Sequence, residues 1–327
     1  MIVCQGNGLY YYFWPLMSKA CLVIVFNHRY DKNIPVLERI YHNRFSRIYF
    51  LVPFYNGNNP NVIPVYESSN FFQSFFAQGF HRFYNDDCTH YIFTGDDCLL
   101  TPAITENNFP EEMGLPPEAD LISGFIELHK LSGYAWWHTY KAVDFFNNRK
   151  GAEIRRELPS YEDAVKKFNQ HGIEVQPLSK ANIFGTKTPA GKNKLAYWAF
   201  KQYHLNYKWK QYRKRGKIQL PYPVAGSYSD VLIVTNESIR DFCRYCGIMA
   251  AVGLFVELAI PTALLLASNK IVQEKDIHLR GKALWTPAEV GEVESRFDRS
   301  LSRLLKEFPR DQLYYHPIKL SKWNNDL

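Results

Sequence analysis

The apolar stretch Thr89-His-Tyr-Ile-Phe-Thr94 runs directly into Gly95-Asp96-Asp97-Cys98. Adjacent carboxylates repel each other unless a cation or hydrogen-bond donors offset them. Their oxygens suit Mg²⁺ or Mn²⁺, which commonly bridge to phosphate oxygens, and such an ion stabilises a departing diphosphate as a Lewis acid. Gly-Asp-Asp is equally ordinary turn chemistry, so a metal site and a solvated turn both stay open on these residues alone. A second pair, Asp86-Asp87, precedes the same stretch and belongs at its opposite end, as a loop or helix end.

Glu257 is the next carboxylate that needs a reason. It is the one charged residue between Gly247 and Ala267, a run that also holds Pro261. A buried Glu is costly unless paired or functional. Desolvation raises a carboxyl pKa, which suits a general base near neutral pH. The structural alternative is an ion pair with Arg240 or Arg244. Asp230, which closes Gly226-Ser-Tyr-Ser-Asp230, is the second candidate base, with a helix or turn cap as its alternative.

The chain that must position these groups has 327 residues, 46% of them hydrophobic and 22% charged. That excludes disorder as a default and allows one large or two modest domains. Lys and Arg number 39 against 32 acidic residues, a net +7, a mild lean toward anionic partners. Six cysteines do not make a disulfide scaffold. The Cys243-Arg-Tyr-Cys246 pair lacks the second ligand pair a structural zinc needs, so reduced thiols are expected. Residues 1–26 carry Lys19 as their one charge and no basic region of a signal peptide; Met1–Met17 reads as an irregular aromatic lead-in. Residues 247–267 are long enough to cross a bilayer. A carboxylate at the bilayer centre costs about 2.5–3.5 kcal/mol, however, and no aromatic belt flanks the run. A buried helix, kinked or stopped at Pro261, in a soluble cytoplasmic protein is the expectation.

Strand and helix patterns alternate along the first third. Cys21–Phe26, Ser46–Pro53, Val62–Tyr66 and Thr89–Thr94 read as strands, and Ile34–Asn43 and Ser68–Phe83 as helices. Phe72, Phe75, Phe76, Phe80 and Phe83 form one side of the second helix, a core stripe. This order predicts an α/β fold, a mostly parallel sheet with helices on both faces. Ligands of such sheets sit beyond the carboxyl ends of the strands, where Asn27–Asp31, Tyr55–Asn59 and Gly95–Asp97 converge. Farther on, Asp120–Leu128 is a candidate strand and Ser160–Gly172 a helix capped by Ser160 with Asp163. Val231–Val234 reads as a strand, followed by a helix capped by Ser238. Thr286-Pro-Ala-Glu289 is a capping box that opens one helix carrying Val290 through Phe308 and ended by Pro309.

Residues 175–229 hold eleven Lys or Arg and no acid. In Lys208–Lys217, six cations interleave with Trp209 and Tyr212. Three readings stand open: a solvated basic face, a site for an anionic acceptor or a peripheral membrane contact through 192–217, and base stacking on RNA or DNA. No nucleic-acid motif is present, so no nucleic-acid partner is expected.

The order strand, helix, strand, aromatic helix, then Tyr91-Ile-Phe-Thr-Gly-Asp-Asp97, resembles the nucleotide-sugar half of GT-A glycosyltransferases, whose metal motif is Asp-x-Asp or a variant after a strand. Here the form is Asp-Asp-Cys. The tail His316-Pro-Ile-Lys319-Leu-Ser-Lys322-Trp323 is similar to the C-terminal His-x-x-Gly-x-Lys-Pro-Trp text of that family, without its Gly. Gly226–Asp230 with Phe255-Val-Glu257-Leu-Ala-Ile-Pro261 resembles the acceptor side of some GT-A-like proteins. The resemblance covers roughly 20–125 and 225–320. It implies a single Rossmann-like GT-A domain over 1–327, with a nucleotide-sugar half (20–125), an irregular, basic and aromatic insertion (126–225), and an acceptor half with a metal-ligand tail (226–327). It implies Mn²⁺ or Mg²⁺ on Asp96, Asp97 and His316, contacts of Asn27, Arg29 and Asp31 with base or ribose, and Lys319 at the diphosphate. The implied reaction moves a sugar from a nucleoside diphosphate, UDP favoured, to a hydroxyl of a glycan or glycoconjugate, with Glu257 or Asp230 as base. Trp136, Trp137, Trp198 and Tyr134 are candidate sugar-stacking rings. Two alternatives remain: a sugar-phosphate nucleotidyltransferase, against which the non-glycine loop Asn27-His28-Arg29-Tyr30 argues, and a non-catalytic membrane- or nucleic-acid-binding protein.

Overall fold

The computed structural model describes residues 19–133, 135–145, 153–188 and 192–327. The lead-in Met1–Met17 and Tyr134 lie outside the described residues. The strands are β1 (Ala20–Val25), β2 (Ile48–Pro53), β3 (Val62–Val65), β4 (His90–Gly95), β5 (Leu99–Leu100), β6 (Asp120–Ile122), β7 (Arg213–Lys214), β8 (Lys217–Ile218), β9 (Val231–Thr235), β10 (Ile271–Gln273), β11 (Arg280–Ala283) and β12 (Gln312–His316). Seven of them form the central sheet, in the order β10-β6-β9-β4-β1-β2-β3. Its neighbours are parallel except along β9, which runs antiparallel to both β4 and β6. The fold is therefore α/β with a mostly parallel seven-stranded sheet.

The helices are α1 (Ile34–Tyr41), α2 (Gln73–Phe83), α3 (Phe109–Met113), α4 (His138–Asp144), α5 (Tyr161–Gln170), α6 (Lys180–Phe184), α7 (Lys194–Tyr203), α8 (Ile239–Ala251), α9 (Val256–Ala267), α10 (Pro287–Arg296) and α11 (Leu301–Lys306). Side chains of a strand point alternately to its two faces, and β1 shows the result. Cys21, Val23 and Val25 join a core with α2, α8 and α9, whereas Leu22 and Ile24 join another with α1, α3, α10 and α11. The phenylalanine stripe of α2 is core: Phe75, Phe76, Phe80 and Phe83 are buried, at about 1.5–3 kcal/mol each. The 126–225 region shares that face. Phe168, Phe184 and Trp209 are buried in the same core, and among its described residues the region carries helices α4 to α7.

Three helix expectations are corrected. The run 247–267 does not stop at Pro261. It breaks at Gly253, whose φ of +75° suits a residue without a Cβ, and α9 continues through Pro261. That proline has no N–H for the Glu257 carbonyl four residues back. Ser227 N–H donates to that carbonyl instead, at 3.0 Å, which ties the 226–230 segment to the helix. Ser238 makes no cap bond to the helix that follows it; its Oγ accepts from Thr235 Oγ1. The Thr286–Glu289 capping box forms as expected, but the helix it opens ends at Arg296. Asp298 and Arg299 take left-handed conformations and Ser300 caps a new helix, α11, its Oγ accepting from Arg303 N–H. Among the described residues, no helix is long and apolar enough to cross a membrane.

Candidate functional site

A cavity of about 200 Å³ opens beyond the carboxyl ends of β1 and β4. Its polar lining includes Asn27, Asp97, Ser227, Asp230, Glu257 and His316, and its floor includes Phe72, Phe76 and Phe93. Three chain segments deliver Asp97, His316 and Asp230. The Gly95–Cys98 turn follows β4 and brings Asp97. The tail of β12 is pinned to that turn by Ile318 N–H donating to the Asp97 carbonyl at 2.7 Å, which places His316 over it. The 226–230 segment threads between α9 and residues 123–126. Ala225 N–H donates to Thr262 Oγ1 at 3.1 Å, Gly226 and Ile126 exchange backbone bonds, and Ser123 Oγ donates to the Tyr228 carbonyl. Gly226 is needed there, because a Cβ would meet the Trp136 ring at 2.3 Å.

His316 is bracketed by two carboxylates. Its Nε2 lies 3.3 Å from Asp97 Oδ1 and its Nδ1 lies 3.1 Å from Asp230 Oδ1. Burial alone would push the imidazole pKa down, but Asp230 and Asp97 together raise it to about 10. Tyr314 donates its hydroxyl to the other Asp230 oxygen at 3.2 Å. Asp97 Oδ1 is buried and, apart from the His316 approach, has no hydrogen bond.

Asp96 does not share this arrangement. It is buried, and Asn33 Nδ2 donates to its Oδ2 at 2.8 Å. Burial raises its carboxyl to about 7 against the Asn33 bond, and the neighbouring Asp97 charge adds to the rise. Consecutive residues leaving a strand point apart, so the adjacent pair splits into one residue lining the cavity and one held under it.

Among the described residues, no group of three or more His, Cys, Asp or Glu side chains is disposed to hold a metal ion. The imidazole shows why: Asp97 and Asp230 face its two different nitrogens, so one ion on either nitrogen meets only one of them. The donor set that fits a cation is the pair Asp97 and His316, an oxygen–nitrogen set that leaves its other positions to phosphate and water. Cys243 and Cys246 are buried in α8, where burial pushes both thiols up.

Glu257 stands across from this group, in the first turn of α9. Neither arginine expected beside it is there: Arg244 pairs with Glu157, and Arg240 lies over the Phe80 and Tyr84 rings. Its partner is His138, whose Nε2 lies 2.8 Å from Oε2. The His138 ring is stacked flat on Phe255, with centroids 4.2 Å apart, and edge-on to Trp136. Trp136 Nε1 donates to the Tyr228 hydroxyl at 2.8 Å, and Tyr228 meets the exposed Trp285 ring. An aromatic wall therefore adjoins Glu257.

Of the remaining candidates, Asn27 lines the cavity. Arg29 is paired with Asp31 at 3.0 Å and also bonds Asn56, which links the loops after β1 and β2. Lys319 is exposed and outside the cavity lining. Trp137 and Trp198 are exposed and outside it as well. Asp87 pairs with Arg47 at the other end of β4, as its place in the chain implied. Asn33, His138, Ser227 and Tyr314 join the candidate site without being singled out by the sequence. Each lies beside residues that the sequence does mark: Ser227 inside Gly226–Asp230, His138 after Trp137, Tyr314 two residues before His316, and Asn33 two after Asp31. Compared with known proteins, the chain matches no family model and no curated protein sequence.

Proposed function

We propose that this protein is a GT-A glycosyltransferase that moves a sugar from a nucleoside diphosphate, a UDP-sugar favoured, to a hydroxyl of a glycan or glycoconjugate. The observation that carries the reading is one cavity, beyond the strand ends, that puts Asp97 and His316 together and Glu257 and Asp230 in the same lining. The mostly parallel sheet supports it. Asp97 and His316 would hold Mn²⁺ or Mg²⁺, which would supply Lewis-acid stabilisation of the leaving diphosphate.

The two candidate bases separate by their partners. Both oxygens of Asp230 are engaged, one by His316 and one by Tyr314, so this carboxylate orients the imidazole. Glu257 has His138 beside one oxygen and the aromatic wall beside it, where an acceptor sugar would stack. In an inverting transfer, Glu257 takes the proton of the acceptor hydroxyl. The hydroxyl oxygen bonds to the anomeric carbon, and the bond to the diphosphate oxygen breaks with its electron pair leaving on the diphosphate.

Thermal stabilisation by nucleoside diphosphates and nucleotide sugars, with and without Mn²⁺, tests the reading. A ligand at 100 times its dissociation constant adds about 2.7 kcal/mol. One nucleotide should stabilise the wild type only with metal, and D97A should lose the effect. A wild type that no nucleotide shifts would overturn the proposal.

A further inference from the structure

We propose that the exposed face formed by α7, the turn after it and the β7–β8 hairpin docks this protein on an anionic membrane surface. Helix α7 continues into a wider turn over His204–Lys208. One side of this rod enters the core, with Tyr197, His204 and Leu205 buried. The other side leaves large apolar groups in water: Leu195 is 74% exposed, Trp198 58% and Tyr207 77%. Leu195 and Trp198 are three residues apart, and Leu195, Ala199 and Tyr203 follow at steps of four, so they share a helix face. The Tyr203 and Tyr207 rings stack, at 6.2 Å between centroids, and extend that face through the turn.

Cations surround the stripe. Lys192 and Lys194 stand at its start, and Lys210, Lys214, Arg215 and Lys217 beside its end, all exposed. Arg213 Nη1 donates to Asn206 Oδ1 at 3.1 Å, which ties the hairpin to the turn that carries Tyr207. Among the described residues, Lys194, Lys210, Lys214, Arg215 and Lys217 meet no carboxylate within ion-pairing distance. Lys208 pairs with Asp144 at 2.7 Å. An uncompensated positive rim around an exposed Leu, Trp and Tyr stripe is complementary to anionic headgroups over hydrocarbon. Single-stranded nucleic acid fits less well, because stacking needs ring faces, and Leu195 and Ala199 offer none.

The start of the face meets the chain segment that carries His138. Lys192 Nζ lies 5.7 Å from the centroid of Trp137, next in the chain to Trp136 and His138 beside Glu257. A membrane-borne acceptor would present its hydroxyl there. This last step rests on the glycosyl-transfer reading, and the docking itself does not.

Co-sedimentation of the full chain with vesicles tests the docking. Wild type should partition onto phosphatidylcholine mixed with phosphatidylserine, and not onto phosphatidylcholine alone, with binding that falls as salt rises. K210E with K214E should weaken it at least roughly tenfold. L195S with W198S should weaken it comparably in low salt, while the melting temperature stays unchanged because both side chains are exposed. Lipids brominated on the acyl chain should quench the wild type more than W198F. D97A, which disables donor binding in the proposed function, should bind vesicles like the wild type, so the two readings fail separately. No binding to anionic vesicles, or quenching unaffected by W198F, would overturn the docking. So would tight binding of single-stranded RNA that K210E with K214E abolishes while vesicle binding stays absent.

Discussion

Two histidine–carboxylate pairs border one cavity, and they are built in opposite ways. His316 ends a strand, is pinned by the Ile318–Asp97 backbone bond, and stands between two carboxylates. His138 starts a helix, lies flat on Phe255, and meets the single carboxylate Glu257. In the first arrangement a carboxylate faces each imidazole nitrogen, so the ring is held in one orientation. That suits a place where charge must stay fixed, as under a diphosphate. The second leaves a carboxylate with one partner beside an aromatic wall, which suits a proton that must move during turnover. Position in the fold sets the difference. Strand ends and their turns are held by ladder bonds on both sides, whereas the start of α9 is held at its backbone by Ser227 and leaves its side chain free to respond.

The contrast breaks most sharply at His316. H316A should abolish metal-dependent stabilisation by the donor, because Asp97 is left without its partner. Melting with nucleotide and Mn²⁺ reads this directly, and stabilisation equal to the wild type would remove His316 from donor binding. Next in size is E257Q. Loss of a general base lowers turnover by roughly 10²–10⁴-fold, while donor stabilisation should match the wild type. If E257Q loses donor stabilisation too, the two pairs do not divide the work as proposed. H138A comes third. It leaves the carboxylate but removes a charge-assisted contact, which is expected to cost roughly tenfold to a hundredfold in kcat. Donor affinity should not change, and H138N should recover part of the loss. An equal fall for H138N and H138A would mean that His138 only fills space.

Much of the frame was legible because it is written in local pattern. The continuous apolar run of β1, the helical spacing in α1 and α2, and the Thr286 capping box each specify themselves within a few residues. So did the Asp pair, since Gly-Asp-Asp after an apolar strand places carboxylates beyond a sheet. What could not be read depends on partners distant in sequence. The antiparallel course of β9 is set by pairing with β4 and β6. The break between α10 and α11 is set by Asp326, which accepts from the Ser300 and Ser302 hydroxyls. Asn33 and Asp96 lie far apart in the chain, and so do His138 and Glu257. The stop at Gly253 was missed because Pro261 is the stronger local signal. In the folded chain its cost is offset, since the carbonyl it strands accepts from Ser227.

A third histidine sharpens the comparison, because it has no carboxylate at all. His90 begins β4, at the end opposite the cavity, buried with its ring edge-on to Phe109. Burial lowers its pKa from 6.5 to about 4, so the folded protein keeps it neutral. The unfolded chain takes up a proton as pH falls below about 6.5, and the folded one does so only near 4. Stability from this residue is therefore intact well above pH 6.5 and lost progressively down to about 4, with a limit of about 3.4 kcal/mol. Near pH 6 the effect is about 0.8 kcal/mol, which makes it the smallest of the set. Urea unfolding of wild type and H90Q across this range measures it. The wild type should lose stability relative to H90Q as the pH drops from 6.5 to 4.5, and the difference should be flat above 7. Parallel curves would mean that the His90 site accepts a proton without cost. A neutral interior at the closed end of β4 would then not distinguish it from the charged end that carries Asp97.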